Sequence, residues 1–219
     1  METFKKIIVL FLFLFFSSCF EKETEIIDTE DDNALHKNSA LSVLMSSVTS
    51  HNATFDDRID GSDCFSLIFP YDLLINGEQT TVSSIDDIYL IQDNDEIEIL
   101  FPVNIAFVDY DTKVLQNQSQ FNTVYASCQN GELFNFHIDC AEFVYPFSYA
   151  KYNSVSRNFD MVNMNSKKEA FQFLANLKED DLYVINYPLD VILFDSDHYT
   201  VHQNQFLSNY FINASLVCD

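Results

Sequence analysis

Alternation of apolar and polar residues follows each of the four prolines in the chain. Every proline comes directly after an aromatic residue, in Phe69-Pro70, Phe101-Pro102, Tyr145-Pro146 and Tyr187-Pro188. A polar residue then recurs at the same relative place between apolar neighbours: Asp72, Asn104, Ser148 and Asp190. A period of two predicts a strand with one buried face, and proline suits the start of a strand because it lacks an amide donor.

Each predicted strand leads into a turn, a returning strand and a helix. The turns are predicted at Asn76-Gly77, Asp109–Asp111, Tyr152–Ser154 and Asp195–Asp197, and the helix caps at Ser84, Asn117, Asn165 and Asn204. Asn-Gly is a strong hairpin signal, and Ser and Asn accept hydrogen bonds from the free amides of a first helical turn. The sequence therefore predicts an α+β fold whose antiparallel sheets come from four β-hairpin–helix (ββα) repeats, with the helices packed on one face.

The repeats are expected to form two pairs, over residues 61–130 and 131–219. Before them, residues 41–60 are predicted to hold a short helix and a linker, because Leu41, Leu44, Met45 and Val48 follow helical spacing. The helix is expected at the edge of the domain. Residues 19–40 are expected to be a flexible tether, because acidic residues crowd this stretch and repel one another.

Residues 1–18 have the features of a secretory signal peptide. Lys5 and Lys6 precede an apolar run from Ile7 to Phe16, which is too short to span a bilayer. Ser17, Ser18 and Cys19 resemble the lipobox of bacterial lipoproteins, although Phe16 replaces the usual leucine. The resemblance implies acylation of Cys19, with palmitate among the acyl chains, and attachment to a bilayer. The alternative is an ordinary signal peptide cut nearby, which would leave a soluble protein.

A net charge of −23 limits the classes of partner. Such a surface repels phosphate backbones, so nucleic acid is not expected as a partner. The surface also disfavours flat contact with anionic lipids, so the acyl chains on Cys19 would have to do the anchoring.

Beyond Cys19, four cysteines remain, an even number for an oxidising compartment. Three pairings are open. Cys64–Cys128 and Cys140–Cys218 are favoured, because each half of the chain would then close on itself in the same way. The alternative is a zinc site from Cys128, Cys140 and His137, but the spacing does not fit a zinc knuckle.

Other candidate sites have simpler explanations. His198 and His202 with Asp195 and Asp197 could form a metal cluster, but turn chemistry accounts for the two aspartates. The loop Asp93–Glu96 could bind calcium weakly, but it lacks the glycine and spacing of an EF-hand. Motifs of nucleophilic hydrolases, zinc proteases and nucleotide-binding loops are absent from the sequence. No catalytic residue, metal ligand or cofactor is therefore predicted.

The chain resembles a group of Bacteroidota (Flavobacteria-like) lipoproteins. The shared features are the lipobox, the acidic stretch after it, the segment Asp60-Gly61-Ser62-Asp63-Cys64-Phe65 and the aromatic–Pro strands with their capped helices. An acidic patch after the lipidated cysteine also resembles a surface-export signal of that lineage. The resemblance implies an outer-membrane lipoprotein of the cell envelope, facing either the periplasm or the exterior. It implies no particular activity.

For function, we expect a non-catalytic lipoprotein that binds a protein or glycan partner. Aromatic residues are dense in the second half, and any that lie on an outer sheet face could stack on sugars or contact a protein: Tyr149, Tyr152, Phe159, Tyr199, Tyr210 and Phe211. The alternatives are a hydrolase inhibitor and a hydrolase that uses carboxylates at unidentified positions.

Overall fold

The computed structural model describes residues 33–133, 136–194 and 196–218. The predicted signal peptide over 1–18, the lipidation site Cys19 and the tether up to residue 32 lie outside the described residues. Residues Asn33–Asp219 belong to one compact unit.

The described residues form thirteen strands and six helices. The strands are β1 (Ala34–Leu35), β2 (Phe65–Leu67), β3 (Tyr71–Ile75), β4 (Glu78–Val82), β5 (Ile97–Ile99), β6 (Val103–Phe107), β7 (Thr112–Leu115), β8 (Ala141–Phe143), β9 (Phe147–Asn153), β10 (Asn158–Met164), β11 (Tyr183–Ile185), β12 (Leu189–Leu193) and β13 (Asp197–Val201). The helices are α1 (Ala40–Thr49), α2 (Asp57–Asp60), α3 (Ile85–Tyr89), α4 (Gln118–Gln129), α5 (Lys167–Ala175) and α6 (Asn204–Val217). The predicted α+β class with antiparallel sheets is confirmed.

The strands form four small sheets, and each sheet joins two neighbouring units. Their orders are β4-β3-β5, β2-β6-β7, β13-β12-β8 and β1-β11-β9-β10. A short strand precedes each aromatic–Pro pair and lies against the hairpin of the other unit in the same half, so that β2 pairs with β6 and β5 pairs with β3. The second half repeats this exchange, because β8 pairs with β12 and β11 pairs with β9. The exchanged strands are therefore β2, β5, β8 and β11. The predicted two-strand unit is thus incomplete, because it lacks the exchanged strand.

The four aromatic–Pro bonds, all cis, mark the places where the exchange is made. The residue before each aromatic donates its backbone amide to the carbonyl of the recurring polar residue in the partner unit. The bonds run from Ile68 to Asn104 (2.8 Å), Leu100 to Asp72 (3.0 Å), Val144 to Asp190 (2.9 Å) and Asn186 to Ser148 (3.1 Å). The polar position that recurs in the sequence is therefore where each exchanged strand ends.

Two of the four predicted helix caps are confirmed and two are wrong by one residue. Ser84 and Asn117 cap α3 and α4 as predicted. Helix α5 is capped by Ser166, whose Oγ accepts from the Glu169 amide at 3.2 Å, and α6 is capped by Gln203. Asn204 instead accepts a hydrogen bond from the Tyr187 hydroxyl at 2.8 Å, so its side chain ties α6 to an aromatic–Pro junction.

The turns agree with the prediction in part. Asn76 and Gly77 have φ angles of 53° and 84°, which fit the two central positions of a type I′ hairpin turn. Asp111 donates its amide to Asp109 Oδ1 at 2.9 Å, as expected for a turn. In the third hairpin, β9 continues to Asn153, so the turn lies at 154–157 and the predicted position is wrong. Asp195 lies outside the described residues.

Two hydrophobic cores divide the unit. The first is built between Cys64 and Cys128, and the second takes residues from 35–48 and 138–214. Helix α1 belongs to the second core, where Met45 and Val48 are fully buried, so its predicted place at the domain edge is wrong. The predicted tether also ends too late, since β1 pairs with β11 before α1 begins at Ala40. The N-terminal segment therefore crosses to the second half instead of leading into the first.

Each half is closed by one disulfide. Cys64 is bonded to Cys128 and Cys140 to Cys218, with Cα atoms 5.9 Å and 6.0 Å apart. The predicted pairing is confirmed. Cys128 and Cys140 belong to different bridges, so the alternative zinc site from these cysteines and His137 is not formed.

Candidate binding surface

The hairpin β9–β10 differs from the other three. Its strands have seven residues each, while the strands of the other hairpins have four or five. The hairpin therefore extends beyond the exchanged strand β11, which pairs only with Tyr149, Ala150 and Lys151. Lys151 Nζ contacts Asp181 Oδ2 at 2.6 Å and holds the pKa of that carboxyl below its usual range, which ties the base of the extension to the loop between α5 and β11.

The extension exposes apolar side chains. Tyr152 and Phe159 lie directly opposite each other, with ring centroids 5.5 Å apart, and are 36% and 48% exposed. Met161 is 63% exposed and follows Phe159 at the next position on the same face of the strand. Val155 at the tip is 93% exposed. Exposed apolar residues grouped in this way indicate a contact surface more strongly than scattered ones do.

Polar side chains continue the same sheet face beyond Met161. Asn186 Nδ2 lies 3.1 Å from Met161 Sδ and donates to Ser148 Oγ at 2.9 Å. Asn163 lies opposite Ser148 in the β9–β10 ladder. We call this set the outer face and define it as Ser148, Tyr152, Phe159, Met161, Asn163 and Asn186.

The outer face borders a cleft that lies between Tyr145-Pro146 and Tyr187-Pro188. The cleft has a volume of about 470 Å³ and is lined by residues 144–148 and 186–190. It lies where the exchanged strands of the second half end, so the two Tyr-Pro pairs face it from both units. Ser148 and Asn186 belong to both the outer face and the cleft. The volume falls in the range of small-molecule sites.

The cleft has both donors and acceptors of hydrogen bonds. Asp190 accepts a hydrogen bond from Thr200 Oγ1 at 2.6 Å, which fixes its carboxylate. Ser148 and Asn186 supply a hydroxyl and an amide beside it. Together with the tyrosine and proline rings, these groups can contact a ligand that carries both hydroxyls and apolar ring faces.

The six aromatic residues singled out in the sequence separate into three groups. Tyr149 and Phe211 are fully buried in the second core. Tyr199 and Tyr210 are partly buried and pack on each other with centroids 4.7 Å apart. Tyr152 and Phe159 are exposed and form the surface described above. The sequence did not indicate Ser148, Met161 and Asn186 as part of that surface: Ser148 and Met161 are not aromatic, and only the strand exchange brings Asn186, at the end of β11, beside β9.

The metal-binding alternatives gain no support from the described residues. His198 and His202 are exposed at β13 and just after it, and they belong to no cluster of three ligand groups in the described part of the chain. Such clusters as occur there join Asp63 or Asp139 to the sulfurs of a disulfide. In the loop Asp93–Glu96, the alternative calcium site, Asp95 accepts hydrogen bonds from Asn76 Nδ2 and the Gln92 amide, both at 2.8 Å, so turn chemistry accounts for it.

No family model, curated protein or solved structure matches this chain. Among the residues that the structure describes, no helix has the length and apolar character to cross a membrane.

Proposed function

We propose that this chain is a non-catalytic lipoprotein of the cell envelope that is anchored through acylated Cys19 and binds a glycan on its outer face. The observation that carries the binding function is the exposed Tyr152–Phe159 pair on the one extended hairpin, beside a cleft with fixed polar groups. The other hairpins of the described chain have shorter strands. Because the β9–β10 hairpin differs from the other hairpins in strand length, we infer that it carries the binding surface.

A glycan suits this surface for chemical reasons. Aromatic rings stack on the apolar faces of sugars, while the hydroxyls of sugars need donors and acceptors held in place. Tyr152 and Phe159 supply the rings, and Ser148, Asn186 and Asp190 supply the polar groups. Because the chain has a net charge of −23, a neutral or basic glycan is favoured over a sulfated or phosphorylated one.

Glycan binding can be tested with the chain from Phe20 onwards, which omits the acylated cysteine. We expect retention of one class of neutral or basic oligosaccharide on an array, with an affinity measurable by calorimetry. Tyr152→Ala and Phe159→Ala should each weaken that affinity by about tenfold or more, as expected for the loss of one stacked ring. Tyr89→Ala removes an aromatic ring that is 75% exposed in the first half and serves as the matched control.

The glycan hypothesis fails if the wild type binds no oligosaccharide, or if Tyr89→Ala weakens binding as much as Tyr152→Ala does. A protein retained from envelope extracts by the wild type but not by Tyr152→Ala would assign the same face to a protein partner.

The proposed anchor has its own test. Cys19→Ser should abolish labelling by radioactive palmitate and release the chain from membranes. Protease added to intact cells should cleave the wild type if it faces the exterior, while a periplasmic control protein stays intact. Cleavage only after the outer membrane is opened would place the chain on the periplasmic side. Continued labelling of Cys19→Ser would overturn acylation at that residue.

A hydrolase inhibitor is the second candidate, because the hairpin tip has a fixed backbone. Asn153 Oδ1 accepts hydrogen bonds from the amides of Val155 and Ser156 at 3.0 Å and 3.2 Å, while Val155 remains exposed. Protruding loops with a fixed backbone suit enzyme clefts because little entropy is lost on binding. An inhibitor would form a stable complex with one hydrolase without being turned over, and Val155→Asp would abolish that complex.

A further inference from the structure

Two carboxyl groups and a tyrosine hydroxyl are buried together in the first half. Asp56 precedes α2, Asp60 ends it, and Tyr71 begins β3. The exposed fractions of these three residues are 0%, 5% and 5%. Carboxyl groups are seldom buried to this extent unless something neutralises them.

Each carboxyl uses one oxygen to fix the backbone. Asp56 Oδ2 accepts a hydrogen bond from the Leu67 amide at 2.6 Å, and Asp60 Oδ1 accepts one from the Ser62 amide at 2.9 Å. The other oxygens, Asp56 Oδ1 and Asp60 Oδ2, have no hydrogen-bond partner among the described residues. The hydroxyl of Tyr71 likewise has no hydrogen-bond partner in the part of the chain that the structure describes. These three buried oxygen atoms therefore lack a hydrogen-bond partner among the described residues.

Contacts of neighbouring residues bring these three groups into one region of the first half: Asp56 binds the Leu67 amide of β2, and the Phe69 ring stacks on Tyr71 with centroids 5.4 Å apart. Asp56 and Asp60 are four residues apart on one helical turn, where the Asp60 amide donates to the Asp56 carbonyl at 3.1 Å. Burial raises the pKa of both carboxyls, and the charge of Asp56 raises that of Asp60 further. Burial also raises the pKa of Tyr71, and the charges of Asp56 and Asp60 are the next causes, so both carboxyls act on the hydroxyl.

Among the residues that the structure describes, no basic side chain forms an ion pair with Asp56 or Asp60. The groups that shift the pKa of Asp56 and Asp60 are other carboxyls and backbone amides. Arg58, on the same short helix, donates to the Ile91 carbonyl at 2.5 Å and pairs with Asp93. Two adjacent carboxylates without a counter-charge would repel each other in a medium of low dielectric. A bound cation would remove this repulsion, and Asp56 Oδ1, Asp60 Oδ2 and the Tyr71 hydroxyl could all coordinate it.

We propose that Asp56, Asp60 and Tyr71 form a binding site for a calcium ion in the first half of the molecule. Calcium takes six to eight oxygen ligands in flexible geometry, and water and backbone carbonyls can complete a set that begins with two carboxylates. Magnesium demands a more regular octahedron, and zinc prefers nitrogen or sulfur. The nearby Cys64 and Cys128 are joined in a disulfide and do not supply thiolates. The ion would join α2 to the start of the first hairpin.

Calcium binding can be measured on the full chain with both disulfides intact. After treatment with a chelator, added calcium should raise the melting temperature by about 5 °C or more at saturation. Terbium, which shares calcium's preference for oxygen, should emit when tyrosine is excited, because Tyr71 would be a ligand. Calcium should displace terbium and quench this emission.

Two variants and a control distinguish calcium binding at this site from a general effect of calcium on the negative charge of the protein. Asp60→Asn keeps the oxygen that accepts from Ser62 and can donate to Asp56, so it should stay folded without calcium and lose the calcium response. Tyr71→Phe should lower the terbium emission by at least half. Asp86→Asn removes one exposed carboxylate of α3 and should respond to calcium as the wild type does.

The proposal is overturned if calcium at millimolar concentration leaves the melting temperature of the wild type unchanged. It is also overturned if Asp60→Asn and Asp86→Asn respond equally. In the first case, a melting temperature of the wild type that falls as pH rises above the ordinary carboxyl range would show that Asp56 and Asp60 share a proton instead.

Discussion

Met45 shows how a single side chain can hold the N-terminal helix to a distant part of the chain. It is fully buried in the second core, and Tyr149 donates its hydroxyl to Met45 Sδ at 3.9 Å. Nearby, Ser42 Oγ and the Tyr183 hydroxyl form a hydrogen bond of 2.6 Å. Residues early in the chain therefore complete a core made mainly by its last third.

Met45→Ala should lower the free energy of unfolding by about 2–5 kcal/mol, because it leaves a cavity in a packed core. Val43→Ala on the same helix should change it by less than about 1 kcal/mol, since Val43 is 46% exposed. Urea denaturation followed by circular dichroism would measure both. Equal effects would mean that α1 does not dock in the second core.

His51 should make the stability depend on pH in the slightly acidic range. Its Nε2 forms a hydrogen bond of 2.7 Å with Ser66 Oγ, and burial followed by the charges of Lys167 and Lys168 lowers its pKa below 6.5. The unfolded chain then binds more protons than the folded one below pH 6.5, so the contribution of His51 is complete above that pH. It is lost as pH falls through the lowered pKa of the folded state.

Comparison of His51→Gln with the wild type tests this effect. The variant should lose less stability between pH 7 and 5, as judged by urea midpoints measured across that range. A pH dependence identical to that of the wild type would show that His51 does not carry the effect.

At the scale of elements, each disulfide defines one half. The residues of the first bridge are separated by 64 positions and those of the second by 78. In the chain-entropy model, closing loops of this size stabilises the fold by about 4 kcal/mol for each bridge.

Replacing Cys64 and Cys128 together by serine should therefore lower the free energy of unfolding by about 4 kcal/mol. The double replacement of Cys140 and Cys218 should cost a similar amount, because its loop is only slightly longer. Urea denaturation under oxidising conditions gives both values, and peptide mapping without reductant checks the pairing. A mixed pattern of bridges would contradict the assignment.

The hairpin strands could be predicted from the sequence because alternation over five residues is readable. The exchanged strands could not, since three residues such as Phe65–Leu67 are too few to show a period. The cap of α5 is displaced by one residue because Ser166 Oγ accepts from the Glu169 amide, while Asn165 donates its own amide and Nδ2 to Glu169 Oε2. The cap of α6 is displaced because the Asn204 side chain accepts from the Tyr187 hydroxyl instead of from a helix amide. Sequence indicated aromatic residues for the candidate surface, but only the pairing of strands decides which are exposed.

At the scale of the whole molecule, Tyr110 joins the two halves. It lies at the β6–β7 turn with a φ of 69°, and its hydroxyl donates to the carbonyl of Thr49 at 3.0 Å. Its ring centroid is 5.5 Å from that of Phe171, and Lys168 Nζ is 5.6 Å from it. One residue of the first half thus contacts both α1 and α5 of the second.

Tyr110→Ala should uncouple the unfolding of the two cores. We expect one calorimetric transition for the wild type and two overlapping transitions for the variant, because each core retains its own disulfide and sheets. Tyr89→Ala, whose ring is exposed, should retain one transition. A single transition in Tyr110→Ala would mean that other contacts suffice to couple the halves.

The exchange of short strands restricts how a chain of this design can change in length. A unit taken alone would have a hairpin of only two strands and a short strand with nothing to pair with, because each unit supplies the third strand of its neighbour's sheet. Loss or gain of a single unit would leave one two-stranded hairpin, which is marginally stable by itself. We therefore expect units of this kind to be added or removed in twos, giving chains of two, four or six units and not of three or five.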